Sequence, residues 1–192
     1  FEEMVKVGQQ HGIDFMLDMV LNHCSIEHDW FQKALAGDSY YQDFFILRDE
    51  PTDWLSKFGG SAWAPFGDTG KYYLHLYDVT QADLNWRNPN VREELFKVVN
   101  FWRDKGVKGF RFDVINVIGK DEVLTDCPEQ EGKPAYTDKP IVHDYLRMMN
   151  EATFGQDASV MTVGEMSATT IENCILYTAP DRQELSMAFN FH

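Results

Sequence analysis

Four times along this chain a helical pattern gives way to a short apolar run with strand character. That alternation constrains the fold more than any other feature. Residues 1–11 carry Phe1, Met4, Val5 and Val7 among charges and close at Gly12, the signature of a helix end with a C-cap glycine. Residues 14–20 then read as a strand. Over 90–105, Val91, Leu95, Val98, Val99 and Trp102 recur on one helical face, Gly106 stops the helix, and a strand ending at Asp113 follows. A helix over 141–154 leads to a strand ending at Glu165. Thr169 or Thr170 opens a fourth helix, before a last strand over 185–191. Alternation of this kind predicts an α/β fold with a parallel sheet and crossover helices. An open doubly wound sheet and a (β/α)8 barrel both satisfy it. No G-x-G-x-x-G or Walker sequence occurs, and polar residues end several different strands, as they do on the C-terminal face of a barrel. Four strands cannot close a barrel. The chain therefore reads as a partial (β/α)8 barrel, entered within a helix at Phe1 and left at His192 as a strand finishes.

Residues 24–80 interrupt this order. Trp30, Tyr40, Tyr41, Phe44, Phe45, Trp54, Trp63, Tyr72, Tyr73 and Tyr77 crowd there among Gly, Pro and Asp without helical periodicity. The segment is expected to form an irregular inserted subdomain, with a short helix near 30–36 and a hairpin near 71–77. Its aromatic residues are read first as subdomain core and second as sugar-stacking platforms. The expected division is 1–23 and 81–192 in the barrel and 24–80 in the insert. A loop rich in Asp, Glu, Pro and Gly spans about 119–140.

Composition removes several function classes. Hydrophobic residues at 44% and aromatics at 14% exclude a disordered chain. A formal charge of -14 supplies no basic face for phosphate backbones, which argues against nucleic acid. No apolar run approaches the roughly 20 residues of a membrane span. No signal-like segment opens the chain. Cys24, Cys127 and Cys174 are odd in number and widely spaced, which fits free, mostly buried thiols in a reducing compartment and a cytoplasmic protein. His23 and His28 lack the carboxylate or cysteine spacing of a zinc site, so no metal is expected.

Two carboxylates carry the chemistry. Asp113 closes Gly109-Phe110-Arg111-Phe112-Asp113, and Glu165 closes Val160-Met161-Thr162-Val163-Gly164-Glu165. An acid at the exit of a buried strand is costly unless hydrogen-bonded, paired or catalytic. Two on successive strands suggest a pair facing one pocket, the arrangement of glycoside hydrolysis. Each alone is equally well read as a cap or an ion-pair partner. Arg111 lies two residues before Asp113 and shares its strand face, where a buried cation would hold a nucleophile ionised. Glu165 follows Gly164 and sits between Val163 and Met166, an apolar setting suited to a general acid. In Asp18-Met19-Val20-Leu21-Asn22-His23, Asp18 and Val20 take one face, and Asn22 and His23 are expected to emerge at the mouth, where a neutral imidazole can bind a sugar hydroxyl.

At these residues the chain resembles glycoside hydrolase family 13, the α-amylase family, over essentially its whole length. Asp18 to His23 resembles the family's first motif. Gly109 to Asp113 resembles the second, with its arginine and aspartate nucleophile, and Gly164-Glu165 the third, with its acid/base glutamate. Gln81-Ala82-Asp83-Leu84-Asn85-Trp86 resembles an accessory motif at the end of the inserted domain. The resemblance implies a barrel running here from the second helix to the sixth strand, with the insert after strand 3. It also implies retaining hydrolysis without cofactor, with Asp113 and Glu165 catalytic and Arg111, His23 and Asp18 binding substrate. A third catalytic aspartate and the phosphate-binding residues would lie beyond His192, and the 192-residue chain alone would be inactive. Gly59-Gly60-Ser61-Ala62-Trp63 and Val114-Ile115-Asn116-Val117-Ile118 are similar to the oligo-1,6-glucosidase group. The runs from Met161 to Cys174 and from Glu184 to His192 resemble most the members that hydrolyse trehalose 6-phosphate. Ala82, Cys24 and Gly119 depart from the group's common proline, threonine and serine. The implied partner is a phosphorylated disaccharide, with an isomaltose-type sugar as the alternative. A non-catalytic class, the heavy chains of amino-acid transporters, typically lacks the carboxylates present here.

Overall fold

A computed structural model describes residues 1–190. Its elements in chain order are α1 (Glu2–Gln10), β1 (Met16–Met19), β2 (His23–Ser25), α2 (Asp29–Leu35), α3 (Ser39–Gln42), β3 (Leu47–Arg48), β4 (Trp63–Pro65), β5 (Tyr72–Leu74) and β6 (Gln81–Asp83). They continue with α4 (Pro89–Asp104), β7 (Gly109–Phe112), α5 (Pro140–Ala152), β8 (Met161–Met166), α6 (Ile171–Thr178) and β9 (Met187–Asn190). Short 3-10 turns occupy Ile115–Val117, Lys133–Ala135 and Pro180–Arg182. Phe191, which the sequence assigns to the last strand, and His192 lie outside the described residues.

The sheet that positions the site is β1-β7-β8-β9, parallel throughout. Its register aligns Asp18 with Arg111 and Arg111 with Val163. Parallel neighbours need long crossovers. Here α5 joins β7 to β8, α6 joins β8 to β9, and the insert plus α4 joins β1 to β7. This is the strand and helix order of a partial (β/α)8 barrel.

Local chemistry explains the helices. Asn88 caps α4 by accepting from the Asn90 amide, and Pro89 occupies its first turn. Val91, Leu95 and Val99 form its buried stripe. Val98, expected on that stripe, is instead 38% exposed, because it lines an open cleft with Val20, Leu21 and Leu95 beside the edge strand β1. Pro140 starts α5, which buries Val142, Tyr145, Leu146 and Met149. Thr170 caps α6 through the Asn173 amide. The main core joins one face of the sheet and its helices to the insert through Met19, Phe110, Phe112, Trp86, Tyr145 and Phe44.

The insert has more regular structure than its sequence announces. The chain leaves along β2 and returns along β6, which pair antiparallel with His23 opposite Asp83. Between them β3, β5 and β4 form an antiparallel sheet with β5 in the middle. The hairpin expected at 71–77 is therefore displaced. Its first strand is β4, and residues 75–77 follow β5 outside the strand. A second cluster holds Trp54, Trp63, Leu74, Leu76 and Tyr136 and reaches Val114 and Val117 beside the sheet. Most of the aromatic crowd is core, as with Phe44, Phe45, Trp54, Trp63 and Tyr73, whereas Tyr40 is 47% exposed.

Candidate active site

Strand register brings Asp18, Arg111, Asp113 and Glu165 together at the C-terminal edge of the sheet. Arg111 Nη1 donates to Asp18 Oδ1 at 2.6 Å and to Asp113 Oδ1 at 2.8 Å. Its Nη2 pairs with Glu165 Oε2. One guanidinium thus gathers carboxylates from β1, from the residue after β7 and from β8. Its side chain keeps 26% exposure, against 23% for Asp113, 13% for Glu165 and 57% for Asp18. Arg111 is therefore a rim cation rather than the buried one expected, because among the described residues no strand flanks β1 on its outer side. Desolvation pulls its pKa down, but the hydrogen bonds it donates to Asp18 and Asp113 prevail and raise it.

The backbone around Asp113 is held tightly. The Asp113 amide donates to Met19 O at 3.0 Å, continuing the β1–β7 ladder past the strand end. Val114 then adopts φ 39 and ψ 41, a left-handed conformation unusual for a β-branched residue. It is held there by burial in the insert-facing cluster. Strain of that kind persists only where surrounding packing over-determines it.

His23 is 6% exposed, and its ring centroid lies 5.4 Å from that of Tyr77. Asn22, expected beside it at the mouth, is wholly buried. The reason is a polar cluster that no local sequence pattern marks. Lys120 Nζ reaches Asp83 Oδ2 at 2.7 Å and Asn22 Oδ1 at 2.7 Å. Asn22 Nδ2 donates to Asp83 Oδ2 at 3.0 Å and lies 3.2 Å from His23 Nδ1. Asp83 Oδ1 accepts the Leu76 amide at 2.8 Å. An ammonium only donates, so Asn22 must turn its oxygen to Lys120 and its nitrogen to Asp83 and His23. His23 Nδ1 is then an acceptor, and the ring proton sits on Nε2. Burial lowers the His23 pKa despite the opposing charges of Asp83 and Asp113, which keeps the ring neutral. Burial also lowers that of Lys120, against the pull of Asp83. Asp83 in the run Gln81 to Trp86 was the available signal: a wholly buried strand-end acid demands a cation.

Among the described residues no group of three His, Cys, Asp or Glu side chains is arranged to hold a metal ion. No helix among them is long and apolar enough to cross a membrane. Cys24, Cys127 and Cys174 are free and half-buried, less covered than expected, and burial pushes the Cys24 thiol up to about 12.

The family model for the alpha amylase catalytic domain matches residues 1–192. The chain is 49% identical to trehalose-6-phosphate hydrolase of Bacillus subtilis, aligning over all of this chain and 35% of that protein. It is 43% identical to oligo-1,6-glucosidase of Halalkalibacterium halodurans, over all of this chain and 36% of that protein. The crystal structure of Bacillus licheniformis trehalose-6-phosphate hydrolase superposes with a TM-score of 0.96 at 51% identity, covering all of this chain and 36% of that one. The chain thus spans about a third of the length of these relatives.

Proposed function

The chain belongs to the alpha-amylase catalytic-domain family, and on that premise we propose that the whole protein is a retaining α-glucosidase splitting trehalose 6-phosphate into glucose and glucose 6-phosphate. The observation that carries this reading is the single Arg111 guanidinium bound to both Asp113 and Glu165 at one sheet edge. A carboxylate pair so gathered suits double displacement. Asp113 attacks the anomeric carbon while the bond from that carbon to the bridging oxygen breaks. Glu165 gives its proton to the departing oxygen of glucose 6-phosphate. It then takes a proton from water, whose oxygen displaces Asp113 and releases glucose. Arg111 steadies the carboxylates, Asp18 holds Arg111, and His23 offers its Nε2 proton to a sugar hydroxyl. Residues 1–23 and 81–192 contribute to the barrel, and 24–80 form the inserted subdomain. The three free thiols accord with a cytoplasmic setting.

The choice of substrate rests on the higher identity to a trehalose-6-phosphate hydrolase than to an oligo-1,6-glucosidase, 49% against 43%. The latter activity on isomaltose-type sugars is the second reading. The full-length protein should be assayed side by side on trehalose 6-phosphate, trehalose and isomaltose, with NMR of the first-formed glucose. Preference for the phosphorylated sugar and α-glucose as first product are expected. Preference for isomaltose transfers the assignment to the second reading, and β-glucose as first product overturns the retaining mechanism.

A further inference from the structure

Asn116 is wholly buried in the 3-10 turn that follows Asp113. Its amide closes a two-bond ring on one residue. The Ser167 amide donates to Asn116 Oδ1 at 2.7 Å, and Asn116 Nδ2 donates to Ser167 O at 2.9 Å. The second Nδ2 hydrogen goes to Asp138 Oδ1 at 3.0 Å. Ser167 lies two residues past Glu165, and Asn116 three past Asp113. The ring therefore bolts the turn behind one carboxylate to the strand exit behind the other.

We propose that Asn116 is a positioning residue that sets the placement of Glu165 against Asp113, an inference resting on the roles proposed for those two carboxylates. A paired amide fixes both distance and rotation of the Ser167 peptide, which a single hydrogen bond would not. Extended chain rises about 3.3 Å per residue, so Glu165 sits on the order of 7 Å from the clamp with little slack between. The far side is anchored as well. Asp138 stands at φ 49 and accepts from Thr169 Oγ1 at 2.5 Å, Asn173 Nδ2 at 2.9 Å and Tyr177 Oη at 2.9 Å, besides Asn116. These donors lie between β8 and the end of α6, so the clamp is tied to the crossover that follows Glu165. From the insert, Lys57 Nζ donates to Ser167 Oγ at 2.9 Å. Among side-chain bonds to the backbone groups of Ser167, those from Asn116 join the nucleophile's turn to the acid/base strand.

The test separates acid catalysis from nucleophilic attack in the full-length protein. A general acid typically contributes about 10²–10⁴-fold, and it matters most when the leaving group is poor. α-Glucosyl fluoride leaves without a full proton transfer, whereas phenyl α-glucoside and trehalose 6-phosphate depend on one. N116A and the isosteric N116D should lower kcat/KM on phenyl α-glucoside by roughly 10–100-fold, as expected for misplacement on the scale of an ångström. kcat/KM for α-glucosyl fluoride, which reports only steps up to the glycosyl-enzyme and so excludes the base step, should stay within about threefold, and the basic limb of the pH profile, which reports the acid, should move. Equal losses of kcat/KM on both substrates, including loss of all activity through misfolding of both variants, would show that Asn116 only holds the fold. Unchanged rates on both would overturn the proposal equally. Wild-type protein active on aryl glucosides but not on trehalose 6-phosphate refutes the substrate reading alone. Wild-type protein inactive on every glucoside refutes the carboxylate roles, and this inference with them.

Discussion

Lys120 and Asp83 show how much one buried side chain can carry. Both are essentially closed to solvent, at 4% and 0% side-chain exposure, and their pair is completed by Asn22. Removing one partner of such a pair leaves an uncompensated charge, at a cost of about 3–5 kcal/mol, whereas removing both at once is far milder. K120M should therefore lower the denaturation midpoint of the full-length protein sharply, and the K120M/D83N double variant should recover much of that loss. Equal midpoints for the single and double variants would contradict the pairing. The pH dependence of stability has its own residue-scale source in His23. Its pKa is depressed below the ordinary 6.5 by burial, so the unfolded chain binds the proton more readily than the folded one. Its contribution is complete above about pH 6.5 and is lost as pH falls through the lower folded value. H23Q should flatten that acid-side decline in midpoint against pH; a decline as steep as wild type would assign it to other groups. Arg111 beside Asp113 was legible from the sequence because a spacing of two fixes a strand face. Lys120 was not, since its bond to Asn22 spans 98 positions and no local pattern marks it.

At the scale of elements, legibility follows the range of the interactions. The helices α4, α5 and α6 are written locally, in Asn88-Pro89, in Pro140 and in Thr170, and their bounds fall where those residues place them. The strands of the insert run to only two or three residues each and owe their existence to partners elsewhere, so nothing local to Tyr72-Tyr73 reveals that they pair with Leu47-Arg48 and Ala64-Pro65. In the main sheet, pairing is close enough for one methyl group to register. A Cβ on Gly109 would lie 2.8 Å from Met16 Cβ, its register partner on β1. That atom is fixed by the backbone and cannot swing aside, so G109A must push β1 and β7 apart. Overpacking of this kind costs about 1–3 kcal/mol. The thermal unfolding midpoint of the full-length variant should fall by several degrees, and an unchanged midpoint would mean that the two strands separate more easily than this contact implies.

For the whole molecule, the alternation of helix and strand was enough to foresee the parallel sheet, because each crossover length and each apolar run had to agree with it. What the alternation could not supply is closure. The sheet of the described residues has β1 at one edge and β9 at the other. Apolar side chains stand exposed along it, with Met16 at 44%, Val20 at 43%, Met187 at 44% and Phe189 at 37%. The helix α6 likewise leaves Ile171 and Ile175 at 66% and 60%. Open edges flanked by apolar residues are templates for pairing with another chain. They are also surfaces that a closed barrel covers, and the relatives extend to almost three times this length, 35% of one and 36% of another being matched. Expressed alone, the 192-residue chain should therefore associate in gel filtration, unfold without a sharp transition and show no glucosidase activity. The full-length protein should be active and unfold cooperatively. A monomeric fragment that melts sharply and matches the turnover of the full-length protein would show that these edges are tolerated and that catalysis needs nothing beyond this piece of the barrel.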